Sequence, residues 1–139
     1  MHLIIDGYGA PEEPLKDADF IYRFLDDYPD RIGMTKITEP HVYTYVGPTP
    51  KDWGISGFVL IAESHISIHT FPDRNYLNID VFSCKEFDSE AALSFLKGHF
   101  SLDSARSWLL DRGLEHLDAA AAAEELTTTR GQLSSSSRG

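Results

Sequence analysis

The sequence holds a single cysteine, Cys84, in 139 residues. One thiol excludes an internal disulfide framework and a multi-cysteine zinc site. Long apolar runs are also missing. None approaches the roughly 18–20 residues of a helical membrane span, and no basic segment followed by an apolar stretch opens the chain as a secretory signal would. Basic residues are scarce, 12 Lys and Arg against 22 Asp and Glu, for a formal charge of −10. Affinity for a phosphate backbone comes from clustered Lys and Arg, so no nucleic-acid partner is expected. What is present is globular: 42% hydrophobic and 24% charged residues, in a length that buries one core without staples. These features predict a single-domain, soluble, cytoplasmic protein with no membrane partner.

Composition changes near Asp118, where the chain becomes DAAAAAEELTTTRGQLSSSSRG. The alanine run has no amphipathic face to bury, and the Thr/Gly/Ser stretch has the composition of a flexible tail. Residues 1–117 are therefore expected to form the domain that carries function, and 118–139 a low-complexity tail.

Strands outnumber helices in that domain. His2 to Tyr8 is a short apolar run closed by glycines. Leu15 to Tyr28 places Phe20, Ile21, Phe24, Leu25 and Tyr28 at helical spacing, with Pro29 predicted to end the helix. Ile32 to Val46 is β-branched and aromatic, and Gly57 to Glu63 suits a buried central strand. Ile66 to Phe71 and Tyr76 to Cys84 alternate on either side of a Pro/Asp/Asn turn, a hairpin signal. Ser89 to Phe100 reads as a second amphipathic helix, and Ser104 to Leu110 as a last strand. The order β-α-β-β-β-β-α-β predicts an α+β fold, a two-layer sandwich of a mainly antiparallel sheet with two helices on one face. A dimer is the simplest way to cover the other face.

The densest chemistry lies in Glu63-Ser64-His65-Ile66-Ser67-Ile68-His69, with Cys84 across the hairpin. His65 and His69 have the spacing of a helical metal pair, but on a strand their Cα atoms stand about 13 Å apart, so no metal site is expected. A thiolate–imidazole pair between Cys84 and either histidine is a second reading, set against a cysteine that merely packs. No G-x-S-x-G elbow surrounds Ser64.

Gly54-Ile55-Ser56-Gly57, then Ala62-Glu63-Ser64-His65-Ile66-Ser67-Ile68-His69-Thr70-Phe71-Pro72, then Ile79-Asp80-Val81-Phe82-Ser83-Cys84 closely resemble the prokaryotic S-adenosylmethionine decarboxylases. With His2 to Asp6, the resemblance spans most of residues 1–112. It implies a proenzyme that cuts itself between Glu63 and Ser64, leaving a pyruvoyl group derived from Ser64 as covalent cofactor. Ser64 attacks the Glu63 carbonyl to give an ester, with Ser56 the family-matching donor to the oxyanion. His69 matches the base that removes the α-proton of Ser64, a task suited to a near-neutral pKa. The pyruvoyl group then takes the substrate amine as a Schiff base and acts as an electron sink. Cys84 matches the proton donor to carbon.

The resemblance further implies the substrate S-adenosylmethionine, a product feeding polyamine (spermidine) synthesis, and a homodimer of self-cleaved protomers. Phe71 and Trp53 are the candidates to stack on the adenine. The segment Val46 to Trp53 departs from the family's His-plus-aromatic stretch ending Pro-x-Gly. A changed substrate loop leaves room for another basic amino acid, ornithine or arginine, and a non-catalytic regulatory homologue is a third reading. Ser64 and His69, five apart, fall on opposite faces of a regular strand, so the chemistry requires a break near Ser64. Ser56, Ser64, His69 and Cys84 are expected to converge in one pocket.

Overall fold

The computed structural model describes residues 1–112, so the predicted tail at 118–139 lies outside the described residues. Six strands form one sheet in the order β2-β3-β4-β5-β1-β6: β1 His2–Tyr8, β2 His41–Val46, β3 Trp53–Ile61, β4 Ser64–Phe71, β5 Tyr76–Ser83 and β6 Ser104–Leu110. Every neighbouring pair is antiparallel. The helices are a single turn, α1 (Glu12–Leu15), then α2 (Ala18–Arg31) and α3 (Ser89–His99). This is the predicted α+β sandwich, with the one-turn α1 added.

Alternation decides which face is covered. Leu3 and Ile5 of β1, Val59 and Ile61 of β3, Ile66 and Ile68 of β4, and Ile79 and Val81 of β5 are all buried. They meet Ile21, Leu25 and Tyr28 of α2 and Ala92 and Leu96 of α3 in one core, with Phe100 just beyond α3. Complete burial of an aliphatic side chain contributes about 1.5–3 kcal/mol, so this face holds the layers together. The opposite face carries Ser56, Phe58, Leu60, His65, His69 and Trp108 with no layer above it among the described residues, and Phe58, Leu60 and Trp108 are exposed.

Two predicted boundaries are corrected. Pro29 does not end the helix: it lies buried inside α2, which runs on to Arg31. Proline removes only one helical hydrogen bond. The Pro29 carbonyl accepts from the Ile32 and Met34 amides, which closes the last turn. The helix itself starts at Ala18 because the Asp17 carboxylate accepts from the Asp19 and Phe20 amides. The run from Ile32 to Val46 is not one strand. Gly33 sits at φ +74°, Lys36 makes an isolated bridge to Ile61, and β2 begins only after Pro40.

Candidate active site

The β3–β4 pairing brings the first group of candidates together. Ser56 lies opposite His69, and Ser56 Oγ is 2.8 Å from His69 Nδ1. The two glycines of the Gly54-Ile55-Ser56-Gly57 motif explain themselves here. A Cβ at Gly54 would land on the Thr70 carbonyl oxygen, and one at Gly57 would stand 2.8 Å from the Leu25 methyl of α2. They let β4 approach on one side of Ser56 and helix α2 on the other. Thr70, buried beside His69, donates to the Leu15 carbonyl at 2.7 Å and accepts the Ile55 amide at 3.0 Å, which pins β3, β4 and α1 to one another. Thr70 lies within the motif segment read from the sequence, but no role was assigned to it there; its signal was a hydroxyl at an inward-facing strand position.

A cavity of about 320 Å³ opens beside this pair, lined by Tyr45, Asp52, Trp53, Ser56, His69 and Phe71 among others. Trp53 and Phe71 thus share one cavity with Ser56 and His69. The departing segment 46–53 forms its rim: Asp52 accepts from Thr49 Oγ1 at 2.6 Å and pairs with Arg74 at 3.0 Å. Those two contacts, Thr49 first, hold the Asp52 carboxyl below its ordinary range.

The second group sits at the other end of β4. Ser64 begins that strand with φ +156°, a backbone conformation that a residue with a Cβ rarely adopts. The regular strand geometry is therefore broken at Ser64. The Glu63 carbonyl accepts the Cys84 amide at 2.9 Å, so Cys84 stands directly across the hairpin from the peptide bond between Glu63 and Ser64. The Glu63 carboxylate accepts the Thr35 amide, at 3.2 and 3.3 Å to its two oxygens. Ser64 Oγ lies 3.3 Å from His65 Nδ1. Burial, with lesser help from the charge on His2, lowers the His65 pKa below its usual value.

Ser56 and His69 therefore do not share a pocket with Ser64 and Cys84 within one chain. Five strand residues at about 3.3 Å each separate Ser64 from His69 by roughly 16 Å. The expected convergence of all four residues is corrected: strand geometry divides them into two half-sites on one sheet. Among the described residues no group of three or more His, Cys, Asp or Glu side chains is placed to hold a metal ion, and no helix is long and apolar enough to cross a membrane.

A serine in unusual backbone geometry, with its preceding carbonyl bonded to an amide across the hairpin, thus stands at one end of the central strand pair of an α+β sandwich. The model of the S-adenosylmethionine decarboxylase family matches residues 1–113. An S-adenosylmethionine decarboxylase proenzyme of Archaeoglobus fulgidus is 34% identical over 113 residues, covering 81% of this chain and 96% of that one. The proenzyme of Geobacillus kaustophilus is 31% identical over 117 residues, covering 84% and 90%. The crystal structure of the adenosylmethionine decarboxylase from Aquifex aeolicus superposes with a TM-score of 0.68 at 28% identity, over 81% of this chain and 89% of that one. The chain belongs to the S-adenosylmethionine decarboxylase family, a family of pyruvoyl-dependent carboxy-lyases.

Proposed function

We infer that residues 1–117 are a proenzyme that cuts itself between Glu63 and Ser64 and then decarboxylates S-adenosylmethionine, for polyamine synthesis. The observation that carries this is the Ser64 peptide. Its φ of +156° and the Cys84 amide 2.9 Å from the Glu63 oxygen suit an acyl shift from nitrogen to oxygen. Strain favours leaving the amide, and a donor already placed on the carbonyl favours the oxyanion.

His69 takes the α-proton of Ser64 once the ester has formed, and elimination then releases the Glu63 carboxylate. Ser56 orients the His69 ring, because a hydroxyl at 2.8 Å from Nδ1 fixes which nitrogen is free to act. The residues fit a pyruvoyl group at position 64, since cleavage after Glu63 makes the serine that would yield it the first residue of the second fragment. That group, once made, supplies an electron sink for the pair left when CO₂ departs. Cys84, next to it across the hairpin, returns a proton to carbon. Trp53 and Phe71 offer ring faces for the adenine in the cavity beside Ser56, and the Asp52–Arg74 pair holds the rim in shape.

The two half-sites call for a second copy. Ser56 and His69 belong to the sheet face that carries exposed Phe58, Leu60 and Trp108, and Ser64 and Cys84 stand at the far end of the β4–β5 hairpin. An isologous contact across that face, with its twofold axis crossing β4 near Ser67, brings Ser64 and Cys84 of one protomer over Ser56 and His69 of its partner. The homodimer thus covers the apolar face and completes two identical sites. The acidic, soluble character of the chain fits a cytoplasmic enzyme.

The test is release of CO₂ from carboxyl-labelled S-adenosylmethionine, compared with ornithine and arginine, by the cut protein and by Ser64→Ala. Release from S-adenosylmethionine alone, absent in the variant, is the expected result. Release from ornithine or arginine instead would assign the altered 46–53 rim to a different amino acid.

A further inference from the structure

The geometry points to His65 as the catalytic residue that carries the Ser64 hydroxyl proton during the acyl shift, a role distinct from that of His69. The inference rests on the self-processing reading above. Ser64 Oγ and His65 Nδ1 stand 3.3 Å apart, a long contact that a small rotation of the hydroxyl tightens. No other side-chain nitrogen or oxygen is within hydrogen-bond distance of this hydroxyl among the described residues. His69, roughly 16 Å along the strand, does not reach the hydroxyl of its own chain.

The surroundings of His65 suit a neutral base. Its ring packs edge-on against Phe82, centroids 5.5 Å apart. The charged and titratable groups facing it are His2 of β1, Asp80 of β5 and Arg112 beyond β6. Asp80 is bonded to His2 at 2.9 Å, which directs its charge to His2. Arg112 lies over the Phe82 ring at 4.1 Å. Burial dominates, so His65 keeps a free lone pair at neutral pH. The tautomer protonated on Nε2 leaves Nδ1 as the acceptor.

The step balances without a co-reactant. The Ser64 Oγ–H proton passes to His65 Nδ1 as Oγ bonds to the Glu63 carbonyl carbon, and the carbonyl π pair moves to oxygen beside the Cys84 amide. The oxyanion then collapses, the C–N bond to Ser64 breaks, and the released nitrogen takes the proton back from Nδ1. An amide has become an ester and a free amine, and His65 is again neutral.

The two histidines act on different steps, so they can be separated. In full-length His69→Ala the chain stalls after ester formation, and hydroxylamine, which attacks esters far faster than amides, cuts it between residues 63 and 64. The expected result is that His65→Gln in the same background slows this cleavage at least tenfold, within the usual range for loss of a positioned acid–base group. With free-base hydroxylamine held saturating at every pH, so that the acyl shift sets the rate, cleavage of His69→Ala alone should slow below pH 6.5 as His65 protonates; with His65→Gln that dependence should vanish. A merely structural His65 would leave the pH profile in place. Circular dichroism establishes that the variant is folded, and His65→Asn replaces it if His65→Gln is not. Hydroxylamine cleavage of the double variant at the rate of His69→Ala overturns the role of His65 alone. A wild-type chain that never cuts, and a His69→Ala chain that hydroxylamine never cuts, remove the self-processing reading and this inference with it.

Discussion

Ser56 Oγ stands 2.8 Å from His69 Nδ1, on directly paired residues of β3 and β4. The contact exists because Gly54 and Gly57 flank Ser56, each where a Cβ would strike a neighbour. Replacing Ser56 by Ala removes the partner of Nδ1 and frees the ring. Misplacement of a reacting group by about 1 Å costs on the order of 100-fold. Self-cleavage of Ser56→Ala should therefore slow about 10- to 100-fold, as measured by the time course of fragment appearance, while its melting temperature stays close to that of the parent.

The proposed division of the site between two protomers has a direct genetic consequence. Ser64→Ala keeps His69, and His69→Ala keeps Ser64. Expressed separately, neither should cut itself. Expressed together, the mixed dimer unites Ser64 of the His69→Ala chain with His69 of its partner, and only the His69→Ala chain should be cut. Tagging the two chains differently distinguishes them by mass. No cutting in a verified mixed dimer would place each site within one protomer.

Tyr28 is fully buried against Phe24 and Phe95, yet among the described residues its Oη has no hydrogen-bond partner. Burial accordingly raises its pKa far above the ordinary phenol value. An unsatisfied buried polar group costs about 1–3 kcal/mol. Tyr28→Phe should therefore stabilise the fold by about 1 kcal/mol in denaturant titration.

His99 predicts how stability depends on acid. Its Nε2 is buried without a partner among the described residues, within the aromatic layer formed by Phe20, Phe24 and Phe95. Burial first, and Arg31 second, lower its pKa below 6.5. The unfolded chain then binds the proton more readily than the folded one, so stability is intact above pH 6.5 and declines as the pH falls below it. His65, lowered in the same direction, adds to that decline. Urea midpoints should drop between pH 7 and pH 5, and His99→Phe should reduce the slope.

Much of this architecture was legible before any coordinates. Period-two alternation gave β4 and β5 and their hairpin, since each strand has one buried face. β1 and β6 begin and end where the apolar run and its flanking turns placed them. The misreadings share a cause. Pro29 and the stretch from Ile32 to Val46 were judged by local propensity, whereas tertiary contacts decide both: the Pro29 carbonyl caps the end of α2, and Lys36 pairs with Ile61 rather than extending β2. At the site, motif order singled out Ser56, Glu63, Ser64, His69 and Cys84 as candidates, and their spacing set Ser64 and His69 on opposite faces of a regular strand. The expected convergence of Ser56, Ser64, His69 and Cys84 overlooked how far a five-residue strand interval carries the chain. The Cys84 amide on the Glu63 carbonyl depends on hairpin register, which turn residues fix only once the turn itself is known.

The most direct measurement is the intact mass of the purified protein under denaturing conditions, beside Ser64→Ala. Two fragments, residues 1–63 and 64–139, with the second blocked at its N-terminus and neither seen in the variant, are the predicted result. A single uncut chain after prolonged incubation of the wild-type protein would contradict self-processing at Ser64.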